Sequence, residues 1–218
     1  MPAPKWRMTA VIAAGYALGA AAMQAGLPGQ IPPSLTAPGL GTFWLGGPLA
    51  AFLLPTAVAV TDGLLRGLCH RHPVDAGTAR TVVAVYDAIM FRFAAFVIGI
   101  HAMVLAALLG LLHGRQWANH IVPVMLGLTM ISIGNLLPRT RPNLAIGIRT
   151  SRTLWDRDVW LRTHRSAGYL IVALGVVIVV SALALPAPIG PGMILLVGPT
   201  ALLAICFLLR RYAGRVHA

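Results

Sequence analysis

The chain has 218 residues, of which 58% are apolar and 10% charged, and its mean hydropathy is +0.81. Such a composition excludes an ordinary water-soluble domain and points to lipid as the solvent. The formal charge of +12 does not call for direct nucleic-acid binding, because short basic loops set membrane topology and adhere to anionic lipid.

A hydrocarbon core of about 30 Å needs about 20 apolar residues per helix. Six stretches approach that length, at residues 8–25, 45–65, 93–112, 121–137, 167–185 and 193–209. Continuous apolar runs lack the alternation of barrel strands, so the expected fold is an all-α membrane protein, a bundle of six transmembrane helices. The first run follows Lys5 and Arg7 and closes on Ala20, Ala21, Ala22 and Ala25, a pattern that also suits a secretory signal. After it, Gly26, Pro28, Gly29, Pro32, Pro33, Pro38 and Gly39 cannot continue a helix and predict an irregular outer loop.

Lysine and arginine alternate between loops. Lys5 and Arg7 precede the first span, Arg66, Arg71 and Arg80 follow the second, every arginine from Arg139 to Arg165 follows the fourth, and Arg210, Arg211 and Arg215 follow the sixth. Only Arg115, and Arg92 at the edge of the third span, fall elsewhere. The positive-inside rule therefore puts both termini and the even-numbered loops in the cytoplasm.

The third apolar region starts well before Phe93 and is interrupted by Asp87 and Arg92. We read residues 81–92 as a cytoplasmic extension of the same helix, with Arg92 reaching toward headgroups and Asp87 solvated. Five residues apart, those two do not pair.

The fourth loop is the longest polar stretch. Pro138 and Pro142 force an extended start, and Gly147 permits a turn. Thr153 with Asp156 resembles a capping box opening a short helix, whose first turn suits Asp156 and Asp158. Asp158 and Arg162 stand in the favourable order for a pair worth about 0.2–0.5 kcal/mol. Leu154, Trp155, Val159, Trp160 and Leu161 scatter around a helical wheel, so some must face protein.

The only acids are Asp62, Asp75, Asp87, Asp156 and Asp158, and there is no glutamate. No zinc-protease helix, phosphate loop or nucleophile elbow occurs, so neither an enzyme nor a bound cofactor or metal is expected. Cys69, His70 and His72 form a compact group but lack the separated second ligand pair of zinc motifs, which favours a solvated loop. Cys69 and Cys206 both fall on the reducing side, where disulfides are rare, so neither is expected to be structural.

His101 is the intramembrane polar candidate, either a proton relay or ligand, or a neutral imidazole hydrogen-bonded to a neighbouring helix. His113 and His120 lie about 15 Å or more along the membrane normal from it, too far to share one haem iron. Asn135 is suited to bonding across helices or to fixing the start of the fourth loop. A small transporter would use His101 and Asn135 along a polar path. Small residues such as Gly46 and Gly47 also allow close packing in a larger membrane complex with an integral-membrane partner.

The run Gly134-Asn135-Leu136-Leu137-Pro138, then Asn143, Gly147-Ile148-Arg149-Thr150, Thr153, Trp160 and Thr163-His164-Arg165, resembles the SdpI family of bacterial immunity membrane proteins over residues 133–170. Leu27-Pro28 with Ile31-Pro32 is similar to an outer-loop signature of that family, but Pro33-Ser34-Leu35 and Ser151-Arg152 depart from its usual pattern. The resemblance divides the chain into an N-terminal three-span region, 1–118, and an SdpI-like three-span region, 119–218. It implies a bacterial cytoplasmic membrane location and, beside membrane lipids, two partners: a secreted toxic peptide and a cytoplasmic ArsR-type repressor. Its motif residues are Asn135, Pro138, Asn143, Gly147, Arg149, Thr150, Thr153, Trp160, Thr163, His164 and Arg165.

Overall fold

The computed structural model describes residues 6–28, 47–69, 76–112, 116–186 and Phe207. Regular structure among these residues is all helix: α1 (Trp6–Gln24), α2 (Pro48–Cys69), α3 (Ala76–Leu108), α4 (Gln116–Gly134), a 3₁₀ turn at Leu137–Arg139, α5 (Ser151–Trp155) and α6 (Arg157–Ala184). The all-α membrane fold expected from hydropathy is what is seen, including the short helix within the fourth loop.

Four helical stretches among the described residues are long and apolar enough to cross a membrane, Pro48–Cys69, Gly77–Leu108, Ala118–Arg139 and Arg157–Ala184. Helix α1 falls outside that set, since Arg7 and Gln24 lie within its 19 residues. It nevertheless packs against α2 and α3, with Met8 and Ala22 buried. The sixth apolar stretch, 193–209, lies outside the described residues except for Phe207.

Helix α3 is 33 residues long, about 50 Å at 1.5 Å per residue, so it outruns the hydrocarbon core. Its first turns extend the crossing helix, but they are not a solvated spur. The Asp87 carboxylate accepts a bond from Arg66 Nη1 at 2.8 Å and is 9% exposed. Arg66 also donates to Asp62 Oδ1 at 3.2 Å, and the Tyr86 hydroxyl donates to that same oxygen at 2.7 Å. Solvation was the expectation for Asp87; the last turns of α2, packed beside the first turns of α3, supply a closer cation instead. Arg92 likewise turns inward, its Nε donating to Ser132 Oγ at 2.5 Å and its Nη1 to the Ala88 carbonyl at 2.7 Å. It ties α3 to α4 rather than reaching for headgroups.

Helices α4 and α6 pack antiparallel with backbone against backbone at two levels. A Cβ built on Gly127 would stand 2.6 Å from the Gly175 carbonyl oxygen, and one on Gly175 would stand 2.6 Å from the Gly127 oxygen. One heptad away, Gly134 and Gly168 face each other in the same manner, at 2.9 and 2.7 Å. Small residues permit this approach where dispersion and weak polar contacts must substitute for a hydrophobic drive between helices.

Overpacking such a contact costs roughly 1–3 kcal/mol. Gly175→Ala is therefore expected to lower the thermal midpoint of the detergent-solubilised protein. Gly63→Ala in α2, where an added Cβ meets nothing within 4 Å, is expected to leave it unchanged or raise it slightly. Equal midpoints for the two variants would refute the close α4–α6 contact.

Candidate functional site

The segment from Gly134 to the first turns of α6 closes on itself because α4 and α6 meet at its base. Pro138 sits against Gly168, where an added Cβ would approach the proline ring to 3.0 Å. Thr140, two residues on, donates its hydroxyl to the Leu137 carbonyl at 2.7 Å and accepts from Trp160 Nε1 at 3.1 Å. The loop start is thereby fastened to α6.

Asn143 organises the next turn. Its Oδ1 accepts from the backbone N–H groups of Ala145 and Ile146, both at 2.8 Å, and its Nδ2 donates to the carbonyls of Arg141 and Ile146 at 2.7 and 3.1 Å. An asparagine that binds its own following backbone stabilises a turn without help from a helix or sheet. Ala145 is buried in one hydrophobic cluster with Met8, Val82 and Tyr86, and Ile146 packs against that cluster, so this loop also touches the bundle formed by α1, α2 and α3.

Gly147 has φ +120°, a conformation L side chains rarely adopt. A Cβ there would also stand 2.3 Å from His164 Nε2 and 3.0 Å from the Trp160 ring. The backbone therefore lies directly on a stacked pair, Trp160 and His164, whose rings are 3.9 Å apart between centroids and inclined by 17°. Both side chains are fully buried. His164 Nδ1 lies 2.9 Å from the Trp160 carbonyl and Nε2 accepts the Ile148 N–H at 2.9 Å. That pattern fixes the neutral Nδ1–H tautomer, since Nε2 must keep a lone pair for Ile148.

Thr150 is the N-cap of α5, in a capping box with Thr153: Thr150 Oγ1 accepts from Thr153 N at 3.2 Å, and Thr153 Oγ1 accepts from Thr150 N at 2.8 Å. Thr153 also donates to the Ile148 carbonyl at 2.8 Å. This corrects the pairing of Thr153 with Asp156. Asp156 instead caps α6, accepting from Asp158 N and Val159 N at 2.8 and 3.1 Å. The sequence signal was real but belonged to two helices in tandem, because α5 is a single turn. Asp158 and Arg162 are not among the ion pairs of the described residues.

The predicted site residues thus divide. Asn143, Thr153, Trp160, Thr163 and His164 are buried, Pro138, Gly147 and Thr150 are half-buried, and Asn135, Arg149 and Arg165 are exposed. The Thr163 hydroxyl has no hydrogen-bond partner. Arg149 Nη1 donates to the Leu144 carbonyl while its side chain remains at the surface. Asn135 forms no cross-helix bond among the described contacts, and its backbone N–H simply continues α4 to Ile131.

His101 is elsewhere, fully buried in the bundle of α1, α2 and α3, with neither ring nitrogen in a hydrogen bond. It lies beside the Gly15 and Ala51 carbonyls. Pro55 has no N–H, so the Ala51 carbonyl lacks its ordinary intrahelical donor there. No group of three metal-ligating side chains occurs among the described residues. Cys69 is a buried free thiol at the end of α2, and His70, His72 and His113 lie outside the described residues. His120 Nδ1 meets the Ala182 carbonyl at 2.8 Å, holding α4 to α6.

The model of the SdpI/YfhL protein family matches residues 139–210. This region is similar to that family. The match overlaps the motif loop from Arg139 onward and runs through α6, whereas Asn135 and Pro138 stand just before it. No curated protein and no solved structure matches the chain. Within the SdpI-like region, sequence reading missed Thr140 and Ala145, neither of which carries a conspicuous signal alone. Gly168 and Gly175, with Gly127 and Gly134 opposite, could have been found from their seven-residue spacing.

Gly147→Ala is expected to open the SdpI-like loop, because both the positive φ and the His164 contact oppose a side chain. In limited proteolysis of the solubilised protein, cleavage between Arg139 and Arg157 should rise several-fold while the helices persist by circular dichroism. Unchanged cleavage would remove the glycine from this role.

Proposed function

We propose that the chain is a non-enzymatic integral membrane protein that gives immunity to a secreted toxic peptide, signals the peptide's presence to a cytoplasmic repressor, or does both. The observation that carries this reading is the SdpI-family match at residues 139–210, laid over a loop that is internally bonded yet presents Arg149 and Arg165 outward. The charge bias of the loops supports a cytoplasmic position for that surface, in the membrane of a bacterial cell with both termini inside.

In this reading the buried set of Asn143, Thr153, Trp160 and His164, with half-buried Gly147, holds the loop's shape, and exposed Arg149 is the contact group. A guanidinium presents several donors in a fixed fork, suited to carboxylates on a soluble partner. The loop's packing on Tyr86 and Val82 of α3 offers a mechanical link to the three-helix bundle, where a peptide arriving from the other side would act.

Expression of the chain in a sensitive cell is expected to raise tolerance to its cognate membrane-active peptide. Arg149→Ala should weaken protection or signalling with protein abundance unchanged, and His164→Ala should lower abundance as well, because it leaves the Ile148 N–H without its acceptor. Tolerance equal with and without the chain, across the peptides secreted by the native cell and its neighbours, would overturn the reading.

A further inference from the structure

Helix α6 has two faces. Trp160, Thr163, His164, Ala167, Gly175, Ile178 and Ala182 are buried against the loop and α4. On the opposite face, Arg162, Arg165, Tyr169, Ala173, Val176, Val180 and Leu183 are all exposed, and their spacing of three and four residues sets them in one straight stripe.

Arg165 is the last charged residue of α6. From it to Ala184 the helix rises about 29 Å, the thickness of a hydrocarbon core. Once the apolar stretch is immersed, Arg162 and Arg165 stand at the phosphate level of one leaflet. Tyr169, 70% exposed, occupies the aromatic belt beneath them. Val176, Val180 and Leu183, at 45%, 56% and 71%, continue the stripe along the acyl chains.

The two arginines also line an open hollow of about 350 Å³ with Asp158, Leu161 and Ser166. Two guanidinium groups and one carboxylate leave a single net positive charge there. That matches the single negative charge of a phosphodiester better than a doubly charged inorganic phosphate. Leu161 gives one wall an apolar surface, and the stripe below receives hydrocarbon.

We propose that this hollow and stripe bind one anionic phospholipid, its phosphate held between Arg162 and Arg165 and a chain lying along Tyr169, Val176 and Val180. The site is set by positions on one helix face, so it is distinct from the general attraction of a basic loop for an anionic surface. Arg152 and Arg157 contribute to that general attraction but do not line the hollow.

The test is native mass spectrometry of the full chain released from micelles containing equal amounts of phosphatidylglycerol and phosphatidylcholine. The parent is expected to retain phosphatidylglycerol over phosphatidylcholine by roughly tenfold or more, as two arginines at a membrane surface imply. The double variant R162Q/R165Q should bring the ratio near one, and R152Q/R157Q should keep it. All four side chains are exposed, so circular dichroism is expected to match the parent in both variants. Three results would each overturn the proposal: an undiminished preference in R162Q/R165Q, an equal loss in R152Q/R157Q, which means diffuse charge alone, or displacement of the lipid by millimolar inorganic phosphate, which means an adventitious anion hollow without a role for the stripe.

Discussion

The contact between α4 and α6 is backbone on backbone, and most of the SdpI-like region depends on it. Gly127 against Gly175 and Gly134 against Gly168 bring two helices closer than side chains would allow. In lipid there is little hydrophobic gain from joining helices, so the approach itself, with its dispersion and dipolar contacts, must stabilise the pair. The Gly134–Gly168 level lies at the base of the loop, which is why a stretch of more than twenty residues folds as a compact return rather than an open excursion. His120 on the Ala182 carbonyl secures the far end of the same pair.

Within the return, polar side chains do the work that secondary structure does elsewhere. Backbone N–H and C=O groups near a membrane need partners as much as buried ones in a soluble core. Asn143, Thr140, Thr150, Thr153, Asp156 and His164 each satisfy one or more of them. His164 is therefore a neutral structural acceptor between Trp160 and Ile148. A residue that reads as reactive by type is, in this position, part of the scaffold that presents Arg149 and Arg165. The same logic applies to Arg66 and Asp87, which join α2 and α3 through a shared network with Asp62 and Tyr86.

The relation of loop to bundle gives the molecule its mechanical continuity. Ala145 and Ile146 pack on the residues around Tyr86, next to the Arg66 network, while Arg92 connects α3 to Ser132 of α4. A shift of α3 would thus be felt both in α4 and in the loop that follows it. His101, farther along α3, sits beside the Ala51 carbonyl that Pro55 leaves without its usual donor. Helix α3 is consequently in contact with every polar feature of the N-terminal bundle described above.

Hydropathy, loop charge and the density of proline and glycine were enough to establish an all-helical membrane protein, the approximate limits of α2 and α4, the end of α6, and a structured polar segment after α4, whereas α6 begins at Arg157, ten residues before its apolar stretch. These are properties of each stretch against its own solvent, and a linear sequence carries them in full. The motif from Asn143 to Arg165 was also legible as a pattern, and its family match agrees. What the sequence could not decide was partnership: that Asp87 meets Arg66 across helices, that Thr153 answers Thr150 while Asp156 starts a new helix, and that His164 is buried whereas Arg149 is not. Those outcomes depend on which backbones approach within hydrogen-bonding reach, and that is set by the glycine contacts and the overrun of α3, which exist only once the helices have packed.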